Sequence, residues 1–375
     1  REYKHFRSIN ARPNPWKVEV GPIFKHIEEK VFALPYFIKK VPVAERPDYI
    51  LNTIQINGGV FTTTDFTSFE ALFKAEIQNA VEMVCYQYMT SRLPQGQSWF
   101  EKVRRAQTGR NRCKFKKYTA EVIAKRMSGE MCTSLGNGFT NLMCMLYLCE
   151  LNGAEARGVV EGDDGLFCIK GKAPTAEQYR DLGMLIKMET HERLATASFC
   201  GLVFDEEDKV NITDPRDVLA TFGWCSSRYV RASTKTLRHL LRAKSYSLVH
   251  QYAGCPILQE LGLAGLRLTS DLGHVTRSLH VAARNMNLYD KEELFYGGGV
   301  IPPPRPVPDN TRSLVEELYG VTVAQQLMYE KYLGELTSIG PLPQMGIEFP
   351  DVWYHYWDNY SATWMTRDNA PALWP

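Results

Sequence analysis

Val159-Val160-Glu161-Gly162-Asp163-Asp164-Gly165-Leu166-Phe167 lies within two β-prone runs, Gly158 to Val160 and Leu166 to Ile169, that bracket turn-type residues. The pattern predicts an antiparallel hairpin with both aspartates at its tip. Adjacent carboxylates repel and lose hydration unless a positive charge lies between them, and hard oxygen donors suit Mg²⁺ or Mn²⁺. Asp and Gly are also ordinary turn residues. A Gly-Asp-Asp tripeptide arises by chance in roughly one chain of this size in ten, so its neighbours must decide between turn and metal site.

Upstream, the β-prone run Gly59 to Thr64 leads into Asp65, which places an acid at a strand end, and Glu70 follows where a helix begins. Apolar residues at three- and four-residue spacing (Leu72, Phe73, Ile77, Val81, Val84, Tyr88) predict one amphipathic helix from Phe69 to about Met89. A polar loop, Ser128 to Ser134, precedes a helix expected from Leu135 to Glu150. Downstream of the hairpin, Thr175 and Gln178 form a capping box that starts a helix ending near Gly183, and a strand runs from Met184 to Met188. Six prolines between Pro13 and Pro47 predict short strands and loops there, with one helix near Ile23 to Phe32. Beyond Val210 the pattern is mainly helical, over 232–252, 256–267, 272–286 and 313–336, with Gly297 to Pro306 as a linker or extended strap.

The chain has 375 residues, 44% hydrophobic and 23% charged, enough for a large core and more than one subdomain. No apolar run is long enough to cross a bilayer, so no integral membrane segment is expected. Arg1 in place of Met fits a piece of a longer protein. Nine scattered cysteines, with no Cys-x-x-Cys pair, argue against a disulfide framework or structural zinc and for a reducing setting. Net charge is only +2, yet ten Lys or Arg against two Glu fall between Glu101 and Arg126, interleaved with Phe115 and Tyr118. Such a block suits a groove that tracks phosphates, or a solvated hairpin face. Four of the seven tryptophans (Trp353, Trp357, Trp364 and Trp374) lie in the last 23 residues, and their rings are expected to cover a core or a cleft.

In series, these stretches resemble the palm-centred core of a viral RNA-dependent RNA polymerase of a positive-strand RNA virus, in the manner of tombusvirus-like and nodavirus-like enzymes. Arg7 to Arg12 resembles motif F, Asp65 to Glu70 motif A, and Ser128-Gly129-x-x-x-Thr133-Ser134-x-x-Asn137 motif B. Gly162-Asp163-Asp164 resembles motif C, Leu182-Gly183-x-x-x-Lys187 motif D, and Ser198 to Leu202 motif E. The likeness covers about residues 1–205. It implies an α+β right-hand polymerase with an antiparallel palm sheet flanked by helices and a mainly helical thumb. Partial fingers would occupy 1–58, palm 59–90, a fingers insertion 91–126, palm again 127–208, and thumb with the Trp-rich tail 209–375.

The resemblance also implies roles. Asp65, Asp163 and Asp164 would hold two Mg²⁺ or Mn²⁺ ions, with a further ligand from the Phe66 carbonyl, and Lys187 would be the general acid for pyrophosphate departure. Arg7 and Arg12 would bind the NTP triphosphate. Glu70, Ser128, Thr133 and Asn137 would read the ribose 2′-hydroxyl, while Gly129 and Arg126 would contact the template. Glu70 departs from the Asp commoner at that position, and its extra methylene changes the reach of the network. Partners would be RNA template, nascent RNA, NTPs and viral or host replication-complex proteins, in membrane-associated complexes of the host cytoplasm anchored through other regions. A reverse transcriptase shares the palm, but usually carries an aromatic ring where Glu70 stands and Tyr or Phe where Glu161 stands. A dead RNA-binding palm would lack the intact acids, and no loop has the ligand spacing of a calcium-binding EF-hand.

Overall fold

The computed structural model describes residues 9–229, 231–284, 286, 291–292, 294–351 and 353. Arg7 and the tail tryptophans Trp357, Trp364 and Trp374 lie outside the described residues. The chain divides into two compact units: residues 1–41 with 48–201, and residues 42–47 with 202–375. Helices are mixed with antiparallel sheets, an α+β composition.

In the first unit, α1 (Asn14–Val31) begins nine residues before the expected Ile23. Pro13 caps it and Pro15 occupies its first turn, where a missing N–H costs nothing. Pro22 sits inside α1 on its exposed side, so the helix continues past it with Val20, Phe24, Ile27 and Val31 facing the core. After α2 (Arg46–Ile54) comes β1 (Val60–Phe66), which buries Thr62, Thr64 and Phe66 and turns Asp65 outward.

The single helix expected over 69–89 is instead three: α3 (Phe69–Leu72), α4 (Ala75–Ala80) and α5 (Glu82–Thr90). Phe73 breaks the first junction with extended backbone, φ −55° and ψ 138°, and its ring is fully buried. Val81, at φ −115° and ψ −77°, breaks the second and turns Glu82 into the interior.

Helix α6 (Gly96–Thr108) leads into the two-stranded ribbon β2 (Arg110–Lys114) and β3 (Thr119–Ile123). Helix α7 (Thr133–Leu151) follows and packs on the hairpin of β4 (Glu155–Glu161) and β5 (Asp164–Lys170). The expected capping box is formed at α8 (Ala176–Asp181), with Thr175 Oγ1 accepting from the Gln178 N–H. Strand β6 (Ile186–His191) starts two residues later than the pattern suggested.

The four-stranded sheet has the order β4-β5-β1-β6, all neighbours antiparallel. Tyr36 to Ile38 extends it along β4 through Val160 N–H to Tyr36 O at 2.8 Å. Strand β5 is central and buries Leu166, Phe167, Cys168 and Ile169. Gly158 on β4 lies under the Phe167 ring, where an added Cβ would come within 2.1 Å of it. One apolar core joins the α1, α5, α6 and α7 faces to Phe37, Phe66, Phe167 and Tyr179.

The second unit is helical over Pro215–Thr221, Thr234–Gln251, Leu258–Leu268, Val275–Ala283, Asp309–Tyr319 and Val323–Glu335. The helix expected over 313–336 is two, divided at Gly320, which adopts φ 69° as a C-cap, and restarted by a Thr322–Gln325 capping box. The segment around Arg305 is the expected strap: its N–H and C=O both bond the Gln259 side chain, each at 2.9 Å. Trp353 Nε1 donates to Asp217 at 2.6 Å.

Candidate active site

The hairpin turn is two residues long. Gly162 takes φ 64° at its first central position, the geometry that a type II′ turn gives to glycine. Helix α7 approaches it closely: Gly138 would put a Cβ 3.6 Å from the Gly162 nitrogen. From one turn further along α7, Asn141 Nδ2 donates to the Asp163 carbonyl at 3.0 Å, which fixes the tip.

Strand register then gathers the acids. Glu161 pairs with Asp164 across β4 and β5. Asp65 lies one step past the Thr64–Gly165 pair, alongside Asp164, and is itself paired with Lys187 on β6. Directly opposed residues share a face, so Glu161, Asp164, Asp65 and Lys187 form a row across all four strands. Asp163 and Asp65 are exposed and Asp164 is half-buried.

The charges feel one another. Burial raises the Asp164 carboxyl above its ordinary range, and Asp163, Asp65 and Glu161 raise it further, while a hydrogen bond from Cys200 pulls the other way. Cys200 Sγ also lies 3.9 Å from Glu161 Oε2, held there by a left-handed backbone at φ 53°. The Lys187 ammonium pairs with Glu189, and that contact, with Asp65 a smaller contributor, raises it above the usual lysine value.

Among the described residues no three Asp, Glu, His or Cys side chains close around a point that would hold a metal ion. The donors are nevertheless of the right kind, since Asp65, Asp163 and Asp164 offer oxygens alone, and the repulsion that raises Asp164 is what a divalent cation relieves. Phe66, whose carbonyl was expected as a further ligand, ends β1 with its ring buried against Phe69 and Tyr179.

A second group adjoins the start of α3. The Ser128 hydroxyl donates to the Glu70 carboxylate. Ser68 turns the chain at φ 55° just before, and the Glu70 carbonyl accepts from the Arg126 N–H at 3.2 Å. Thr133 and Asn137 do not join this pair. Thr133 donates instead to the Met127 carbonyl at 3.0 Å, and Asn137 is buried with its Oδ1 unpartnered. Gly129, at φ 101°, packs where a Cβ would meet Ile9 at 2.9 Å, and Asn10 N–H bonds the Ser128 carbonyl at 2.8 Å.

Two expected contacts with ligands are corrected. Arg126 is no template-facing cation: its side chain is 1% exposed and paired with Glu82, itself fully buried. Burial opposes its charge, and Glu82 together with smaller contributions from Cys132, Tyr86 and Glu130 outweighs it, raising the guanidinium above its ordinary value. Tyr86 donates to Glu82 at 3.1 Å, Arg126 reaches Cys132 Sγ at 3.4 Å, and its guanidinium lies 4.9 Å from the Phe73 ring centroid. Arg12 is likewise engaged, with Glu130 at 2.6 Å, Asn111 at 2.7 Å and the Ala106 carbonyl at 3.1 Å. Its fork is spent on protein acceptors rather than presented to a triphosphate.

Asn141, Glu82, Glu130 and Cys200 shape this region without having been singled out. Asn141 had a legible signal, being four residues after Asn137 and hence on the same helix face. Glu82 had one too, as an acid inside an apolar stripe. No model of a known protein family matches the chain, and a search of curated proteins returned no significant match.

Proposed function

We propose that this chain is the core of an RNA-directed RNA polymerase of right-hand architecture, joining NTPs to an RNA 3′ end under the direction of an RNA template. In this reading the four-stranded sheet with α7 is the palm, α6 and the β2–β3 ribbon belong to the fingers, and the helical second unit is the thumb. The observation that carries it is the row across the sheet, in which carboxylates from three neighbouring strands line up beside the tip of a tight hairpin, with a lysine at the row's end.

Asp65 and Asp163, with Asp164 beside them, would hold Mg²⁺ or Mn²⁺, which when bound supplies charge stabilisation to the attacking and departing oxygens. The chain's own residues do the rest. The Asn141 bond and the Gly162 turn set Asp163 in place. Lys187, a lysine and so protonated at neutral pH, pairs with Glu189 and must release it before giving a proton to the leaving pyrophosphate. The Glu70–Ser128 pair supplies an acceptor and a hydroxyl for a ribose 2′-OH, and a site left unpaired by a deoxyribose discriminates against it. Hypothesis and test: template-dependent RNA synthesis is assayed with Mg²⁺ or Mn²⁺, with and without primer. Wild type extends, and Asp163→Ala does not while keeping its circular dichroism and RNA affinity. Appreciable extension by Asp163→Ala removes the metal assignment, and inactivity of wild type removes the polymerase reading.

A further inference from the structure

The β2–β3 ribbon has two unlike faces. One is anchored: Asn111 Nδ2 donates to the Ala106 carbonyl at 3.0 Å, and Cys113 Sγ lies 3.7 Å from Met127 Sδ. The other is exposed and carries the register pairs Arg110–Ile123, Arg112–Glu121 and Lys114–Thr119. Alternate strand residues stand about 7 Å apart, so three cations line this face at a repeat on the scale of successive phosphates along an extended strand. From Arg110 to Ile123 there are five Lys or Arg and one acid. That acid, Glu121, is shared by Arg110 at 3.3 Å and Arg112 at 3.5 Å, contacts worth little in water. Lys114, Lys116 and Lys117 have no acidic partner among the described residues.

The tip adds an aromatic feature. Phe115 N–H bonds the Tyr118 carbonyl at 2.9 Å, closing a tight turn around Lys116 and Lys117. The two rings stack across it, with centroids 4.5 Å apart and planes at 21°. Tyr118 is 62% exposed. A preassembled ring pair with an open face costs little to order and accepts any base, provided the base is unpaired.

We infer that this ribbon is a docking surface for single-stranded RNA, in which Tyr118, backed by Phe115, stacks an unpaired base and Arg110, Arg112 and Lys114 hold the adjoining phosphates. The inference rests on the polymerase reading only for the choice of RNA as the polymer. An acidic protein would use the cations and leave the ring pair without a role.

The test is fluorescence anisotropy of the full chain with a labelled single strand of about twelve nucleotides and with a blunt duplex of the same sequence, over a salt series. Tyr118→Ala should weaken single-strand binding about ten-fold, the scale of one lost base stack, with little change on the duplex, and Tyr118→Phe should retain it. The triple change Arg110→Gln, Arg112→Gln, Lys114→Gln should flatten the slope of log affinity against log salt by about 2, from ~0.7 per phosphate contact on single strands. Unchanged affinity and slope in folded variants, or a wild type that binds no RNA, overturns the proposal. Equal losses on strand and duplex overturn the stacking role. Binding is read without synthesis, so a wild type that binds as expected yet makes no RNA removes the polymerase reading and leaves this one standing.

Discussion

Arg126→Gln removes the cation of the buried pair and leaves Glu82 without its charge partner at a site where both side chains are at most 1% exposed. Breaking such a pair from one side costs about 3–5 kcal/mol, because the remaining charge stays desolvated. The other contacts of Arg126 are smaller: a weak hydrogen bond to Cys132 and a cation–π contact with Phe73. Nothing nearby can fill in, since Gly136 is glycine where a Cβ would lie 2.3 Å from Glu82 Oε2 and 2.5 Å from an Arg126 nitrogen. At about 2–4 °C per kcal/mol for a unit of this size, the first unit should melt roughly 6–20 °C lower. The double change Glu82→Leu with Arg126→Met replaces the charges by apolar groups of similar bulk and should recover most of that loss. Differential scanning calorimetry checks both. A single variant within about 1 kcal/mol of wild type, or a double variant no more stable than the single, refutes the argument that the pair is dry and mutually dependent.

Glu70→Ala should chiefly relax the preference for NTP over dNTP, because it removes the acceptor of the Ser128 hydroxyl; an unchanged preference ratio rules out sugar sensing by this pair. Asn141→Ala deletes the bond to the Asp163 carbonyl, and should lower kcat by about five-fold, in line with one lost hydrogen bond of ~1 kcal/mol, with RNA affinity unchanged; loss of RNA affinity alone would contradict the positioning role. Asp164→Asn should raise the melting temperature at pH 7. The Asp164 carboxyl is raised in the folded chain, so its ionisation costs stability as pH climbs above the ordinary carboxylate value of 3.8. The gain should therefore fade in melts run below that pH, and a gain that persists there would show that charge is not its cause.

Much of this arrangement was legible residue by residue. The apolar runs around Gly162-Asp163 specified the hairpin, and Thr175 with Gln178 specified the start of α8, because both signals are local. The three-way break of 69–89 was not, since the stripe from Leu72 to Tyr88 keeps its spacing while the backbone turns at Phe73 and Val81 to bury one ring and one carboxylate. The break at Gly320 was available from Gly followed by Thr322 and Gln325, a stop and a start in sequence. At the site, Asp65 could be placed at a strand end, but only long-range pairing sets it beside Asp164. Arg12 and Arg126 mislead because a cation's sequence context does not reveal an acid such as Glu130 or Glu82 waiting in the fold.

The row Glu161–Asp164–Asp65–Lys187 also bears on how a molecule of this protein becomes competent. Each member comes from a different strand, so a slip of one residue in any of the three ladders would swing that strand's member to the opposite face. A chain with the right helices and a misregistered sheet would thus carry every acid and still lack the site. On the proposed function, competence is all-or-none per molecule, and an underfolded preparation should show fewer working copies at full speed rather than a uniformly slower population.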